Sequence, residues 1–213
     1  MIEIKQFTFN PFAENTYLLF DETKACVIID PGCYEKQEQQ ELLDYITKKE
    51  LNVEKVINTH CHIDHVLGNK FCKDTFQVDV LIPPKEEQVL RSVSVYAPIY
   101  GFANYQEIPA DGFLPEEGEF KFGNSSLKIL FVPGHAPGHL AFYAAEQKFC
   151  VSGDVLFQGS IGRTDLPGGD HDTLIRSIRT MLFTLPEDTT IYCGHGPRTT
   201  IAFEKKHNPF CAI

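Results

Sequence analysis

The chain has no apolar run near membrane-spanning length, no surplus of basic residues, no CxxC pair and no repeated or low-complexity tract, and each absence removes a class of function. A bilayer-crossing helix needs about 20 consecutive apolar residues, so a membrane role is not expected. Nineteen Lys and Arg against 29 Asp and Glu leave a net charge of -10. That balance offers no clustered basic face for a phosphate backbone, and nucleic acid is not an expected partner. Cysteines stand at positions 26, 33, 61, 72, 150, 193 and 211, an odd set of seven. Their spacing suits reduced thiols better than a disulfide framework. Met1-Ile2-Glu3-Ile4-Lys5 begins no basic segment followed by an apolar stretch and a small-residue cleavage site, so no secretory signal is read and a cytoplasmic location is expected.

What is present is enough for one sizeable core. At 213 residues, with nothing in the middle that reads as a linker, a single domain over 1–213 is expected. Alternation of apolar and polar residues predicts paired strands over Ile2–Asn10 and Thr16–Phe20, and Ala25–Ile29 reads as a buried strand ending in the turn Asp30-Pro31-Gly32. Leu42, Tyr45, Ile46 and Leu51 form a stripe on a surface helix over 35–50, which leads into a strand over 53–58. Short helices are predicted over 67–76 and 86–93, with a short strand at 80–82 between them. The aromatic stretch Tyr96–Tyr105 has breakers and no clean period, and reads as a long loop. Strands follow over 120–122, 127–132, 140–145 and 149–151, then a helix over 173–183 with Asp172 placed as its cap, then a strand at 190–192 and a short polar end.

Everything is organised around Thr59-His60-Cys61-His62-Ile63-Asp64-His65, three imidazoles and a carboxylate directly after an apolar strand. Neutral imidazole and carboxylate suit a divalent ion of borderline hardness. Alternate residues of an extended segment point the same way, so His60 and His62 can reach one ion while the turn through Asp64 and His65 aims at another. The pattern of strand, glycine, then ligand type recurs at Pro133-Gly134-His135, Ser152-Gly153-Asp154 and Cys193-Gly194-His195-Gly196. A solvated loop that happens to hold three histidines would need no such echoes. Asp30 has two readings here, an orienting partner for a ligand histidine or a turn residue bonding its own backbone. The aromatics of 96–105, Tyr100 among them, either wall a substrate pocket or pin an irregular connection to the core.

Those ordered motifs, with Pro-Gly-His-Ala-Pro-Gly-His at 133–139, resemble the metallo-β-lactamase superfamily across nearly the whole chain. Ser160-Ile161-Gly162-Arg163-Thr164-Asp165 and Asn208-Pro209-Phe210 bring the resemblance closest to its glyoxalase II-like branch of small hydrolases. The resemblance implies an α/β fold, a four-layer αββα sandwich with metals at one edge of two sheets. It places His60, His62 and His135 around one ion, Asp64, His65 and His195 around the other, and Asp154 between them. His139 then takes a supporting or packing role, and Asp30 the orienting one. Glyoxalase II proper has a C-terminal helical region that contacts glutathione, whereas eighteen residues follow His195 here.

The implied activity is metal-dependent hydrolysis of a small-molecule thioester or related acyl bond, as in hydroxyacylglutathione hydrolases. Two divalent ions, zinc first with iron or manganese as alternatives, carry four positive charges, of which the catalytic carboxylates Asp64 and Asp154 offset two. A bridging water loses its proton near neutral pH and serves as nucleophile. Cys61, pointing away from the ligands, is structural. Arg163 either binds a substrate carboxylate or pairs with Asp165 to hold its loop, the second being favoured. Two other readings stand beside this one: a mononuclear iron persulfide dioxygenase, which the Gly194-His195-Gly196 segment disfavours, and a non-catalytic metal-stabilised binding domain.

Overall fold

The computed structural model describes residues 1–213, which form two compact units: Met1–Leu114 with Lys121–Ser125, and Pro115–Phe120 with Ser126–Ile213. The first unit opens with β1 (Glu3–Phe9), β2 (Glu14–Phe20) and β3 (Ala25–Ile29), an antiparallel run. Helix α1 (Lys36–Lys49) then crosses over to β4 (Asn52–Ile57), which lies parallel to β3. The helical turn α2 (Ile63–Val66), helix α3 (Asn69–Phe76), β5 (Asp79–Ile82), α4 (Glu87–Tyr96) and the short β6 (Gly112–Phe113) complete it. The six strands pair in sequence order, with β3 to β6 parallel. Every residue of β2 and β3 is buried, the pattern of central strands covered on both faces, whereas the edge strand β1 leaves several side chains partly open. Leu42 and Ile46 are the buried stripe of α1, as their spacing predicts.

In the second unit β7 (Gly118–Phe122), β8 (Ser125–Phe131), β9 (Leu140–Ala144) and β10 (Phe149–Gly153) are followed by a small hairpin, β11 (Leu156–Phe157) and β12 (Ser160–Ile161). Helix α5 (His171–Ser177), β13 (Thr190–Cys193), β14 (Thr199–Thr200) and α6 (Ile201–His207) end the chain. The larger sheet has the order β14-β13-β10-β9-β8-β7, antiparallel where registers are defined except for the parallel pair β10 and β13. Parallel neighbours end side by side, which brings residues 154 and 194 together: Gly194 N–H donates to the Gly153 carbonyl at 2.8 Å. No helix is long and apolar enough to cross a membrane. All seven cysteines are free and buried.

Three elements differ from the sequence reading. The helix expected from 173 is capped by Asp170, not Asp172. Asp170 has extended backbone angles and accepts from Thr173 N–H at 2.8 Å, and the helix widens into a π turn over Ile178–Leu182. The aromatic stretch is not loop throughout: α4 reaches Tyr96 and a single 3-10 turn spans Ala97–Tyr100, since Pro98 sits where a first-turn N–H has no partner to lose. The polar C-terminal stretch contains α6, whose inward residues are Ile201 and Glu204, one apolar and one acidic, too short and too mixed to give a period. Removing the observed cap by Asp170→Ala is expected to cost about 1 kcal/mol of stability, measured by urea unfolding, while Asp172→Ala costs nothing measurable.

Candidate metal centre

The first unit gathers four of the expected ligands where β3 and β4 end beside each other, with Ile29 opposite Ile57. Asp30, two per cent exposed and in the left-handed region at φ 52°, is the hub of this end. Its Oδ1 accepts from Thr59 N–H at 2.7 Å and its Oδ2 from the Thr59 hydroxyl at 2.6 Å. The same Oδ2 lies 3.1 Å from His65 Nδ1. An ionised carboxylate only accepts, so His65 carries its proton on Nδ1 and turns Nε2 outward as a lone pair. Thr59 has spent its one proton on Asp30, so its oxygen, 3.0 Å from His60 Nδ1, accepts from that ring. His60 therefore also presents Nε2. The orienting reading of Asp30 is the one its bonds support.

His60 and His65 are wholly buried, His62 and Asp64 partly so, and the rings of His60 and His62 meet edge-on at 4.7 Å. Asp64 Oδ2 is 3.6 Å from His65 Nε2. Two donors sharing a tetrahedral ion at bonds of about 2.1 Å sit about 3.4 Å apart, so this pair is spaced as co-ligands are. Cys61 faces away: it is fully buried, its backbone N–H donates to Glu86 Oε2 at 3.0 Å, and burial pushes its thiol well above the usual range.

Four residues of this end escaped the sequence reading. Asn10 Nδ2 donates to the carbonyls of Gly32 and Asp64, each at 3.1 Å, and so ties the β1–β2 turn to the ligand loop. Glu14 is fully buried on β2, and that burial pushes its carboxyl well up. Thr16 Oγ1 stands 2.9 Å from both Glu14 Oε2 and the Asp30 carbonyl and receives Gly32 N–H at 2.9 Å. The Thr16 hydroxyl proton thus has two acceptors within reach, the Glu14 carboxyl and the Asp30 carbonyl. Gly32 allows this closeness, since a Cβ there would lie 2.1 Å from Glu14 Oε2. Polar residues at 14–16 heading an otherwise apolar strand were the available signal. Glu86, the fourth, had none, because it stands among other charged residues.

The second unit gathers the other three. His135 follows β8, Asp154 follows β10 and His195 follows β13. His135 Nδ1–H donates to the Arg163 carbonyl at 2.7 Å, so this ring too presents Nε2. One oxygen, Asp154 Oδ2, lies 3.6 Å from His135 Nε2 and 3.4 Å from His195 Nε2. Both separations again match co-ligands, and a single oxygen stands within that distance of two rings. Asp154 N–H donates to His139 Nε2 at 3.1 Å; His139 is buried and acts on the backbone of Asp154. Gly162 packs on the same residue, where a Cβ would fall 1.9 Å from the Asp154 carbonyl oxygen.

The two expected substrate contacts are placed differently. Arg163 forks onto Asp165 with both bonds at 2.7 Å and holds that carboxyl down to about 2. That is the loop arrangement favoured from sequence. Tyr100 is 55 % exposed, in edge contact with Phe12 and Tyr96 at 5.9 Å each. Burial, with the Asp64 carboxylate adding to it, pushes the Tyr96 hydroxyl up to about 12.

Residues 9–195, which include all seven expected ligands, match the Metallo-beta-lactamase superfamily. The chain belongs to that superfamily. Among its relatives is a hydroxyacylglutathione hydrolase, GloC, of Haemophilus influenzae, 41 % identical over 93 % of both chains. The crystal structure of BLEG-1, described as a B3 metallo-beta-lactamase, has a TM-score of 0.90 at 36 % identity, covering 98 % of this chain and 99 % of that one. The crystal structure of TTHA1623 in a di-iron-bound form has a TM-score of 0.86 at 35 % identity, covering 97 % and 99 %. The chain has the metallo-β-lactamase fold, and its superfamily and its donors imply divalent metal ions. The donors fit such ions: all are imidazole or carboxylate, and three rings have Nδ1 engaged and Nε2 presented. Asp30→Asn, which keeps the shape but gives His65 and Thr59 a weaker acceptor, is expected to lower metal affinity by about 10–100-fold, read by chelator competition.

Proposed function

We propose that this metallo-hydrolase of the metallo-β-lactamase superfamily cleaves a thioester or closely related acyl bond of a small molecule at a binuclear centre. His60, His62 and His135 would hold one ion, Asp64, His65 and His195 the other, and Asp154 would serve both. The observation that carries this reading is the single Asp154 oxygen spaced as a co-ligand to both His135 and His195. A mononuclear centre with two histidines and one carboxylate would have no use for His195 in that position. Identity of 41 % to GloC supports a thioester, whose thiolate leaves readily. The likeness to BLEG-1 makes a β-lactam amide the natural competing substrate, and that to di-iron TTHA1623 supports iron beside zinc as the occupant.

Two divalent ions would supply Lewis acidity for a carbonyl and a nucleophile from water near neutral pH. The chain's own work is positioning. Asp30 and Thr59 fix the faces of His65 and His60, and His139 and Gly162 fix the backbone of Asp154. Asp64 and Asp154 offset part of the metal charge and can accept a proton from the attacking water. Tyr100 and Phe12 offer an apolar wall to the acyl group, and Arg163 holds its loop through Asp165. A location in the cytoplasm agrees with seven free thiols.

Protein purified without added metal is expected to carry about two equivalents of divalent metal by plasma mass spectrometry and to turn over S-acyl thiol esters faster than β-lactams. Asp154→Ala removes the shared oxygen, and should lower metal content and reduce kcat/KM by more than the ~100-fold that loss of an outer partner can cost. One iron per chain, with His195→Ala retaining it, would overturn the binuclear assignment and lead to oxygen-uptake assays with a persulfide.

A further inference from the structure

The β11–β12 hairpin and the two residues that follow it lie against His135, Asp154 and His195. The hairpin begins two residues after Asp154. Gly162, just past its end, donates to the Val155 carbonyl at 3.3 Å and lies against the Asp154 backbone. Arg163, one residue further, gives its carbonyl to His135 Nδ1. The Phe157 ring meets His195 edge-on at 6.1 Å. With two residues per strand the hairpin cannot hold its own shape, and something must brace it.

The brace is a buried acid on α6. Glu204 is wholly buried, and both of its oxygens accept from Gly159 N–H at the hairpin tip, at 3.2 and 3.1 Å. Thr199 donates its hydroxyl to Oε1 at 2.5 Å, and Asn208 Nδ2 donates to Oε2 at 2.7 Å. Asn208, one per cent exposed, also donates from Nδ2 to the Ser160 carbonyl at 2.9 Å. A buried carboxylate with four such contacts is costly to place unless it settles a geometry that apolar packing would leave loose.

We infer that Glu204 and Asn208 are positioning residues for the metal ligands: through the hairpin they hold the Arg163 carbonyl against His135, fixing that ring with its proton on Nδ1 and Nε2 turned to the ion. This rests on the assignment of His135, Asp154 and His195 as ligands. It also gives a use to Asn208, the first residue of a terminal motif that the proposed reaction leaves without a role.

The test compares Glu204→Gln and Asn208→Ala with Thr200→Ala. Glutamine puts a donor where Gly159 and Asn208 need an acceptor. The alanine variant deletes the Ser160 and Glu204 bonds without adding a buried donor, and stands in should the glutamine variant not fold. Thr200 caps the same helix by accepting from Phe203 N–H at 3.2 Å through a hydroxyl that bonds neither Glu204 nor Gly159 nor Asn208, so its variant loosens the start of α6 and keeps the hydrogen bonds of the brace. Two readouts are taken: Zn(II) affinity by chelator competition, and the His135 tautomer by imidazole nitrogen NMR of the metal-free protein. Loss of the brace is expected to lower Zn(II) affinity by about 10–100-fold and to turn the Nδ1–H tautomer of His135 into a mixture, with Thr200→Ala leaving both as in the wild type. Unchanged affinity and tautomer in the folded brace variants, or an equal loss in Thr200→Ala, overturns the inference. His135→Ala separates the two claims: if it leaves Zn(II) binding intact, the ligand assignment itself fails.

Discussion

An imidazole can aim one nitrogen at an ion only while the other is held, and much of the chain is arranged around that requirement. Three rings are held three ways, by a hydroxyl for His60, a carboxylate for His65 and a backbone carbonyl for His135. Each holder fixes both the direction of the ring and the atom that bears the proton. The holders in turn need holding. Asp30 takes a left-handed backbone at the end of a parallel strand, and its neighbours Thr16, Gly32 and Glu14 crowd it closely enough that no side chain fits at 32. Parallel pairing does the coarse placement, β3 with β4 and β10 with β13, by ending strands side by side. Hydrogen bonds to ring nitrogens do the fine placement.

The same order explains what was legible in the sequence. His60, His62, Asp64, His65, His135, Asp154 and His195 could be proposed as ligands because ligand chemistry admits few residue types and they follow apolar strands. Asp30 could be read only as one of two possibilities, since a turn aspartate and an orienting aspartate look alike until Thr59 and His65 are seen to close on it. Strands were legible wherever burial was continuous, as in β3 and β10. α6 was not, because half of its inward face is a glutamate, and a carboxylate interrupts the period by which helices are recognised. The Asp170 cap was missed by two residues because acidic side chains stand at 170 and 172 and only backbone angles separate them. Glu14 and Glu204 share a cause: a buried acid is read as surface until its partners are known.

The net charge of -10 does not conflict with an electron-rich leaving group. Ions bound at the proposed ligands would dominate the local field, and Arg163 and Asp165 cancel each other at the exposed edge of the loop, so that edge contributes little charge of either sign.

The seven thiols carry a last consequence. All are buried, and burial pushes Cys61, lying between two ligand histidines, and Cys150 far from the thiolate form. Oxidants attack thiolates, while imidazole and carboxylate donors resist them. A centre built from nitrogen and oxygen donors alone, as proposed, would offer peroxide no metal-bound thiolate to oxidise, because the sulfur is kept buried away from those donors.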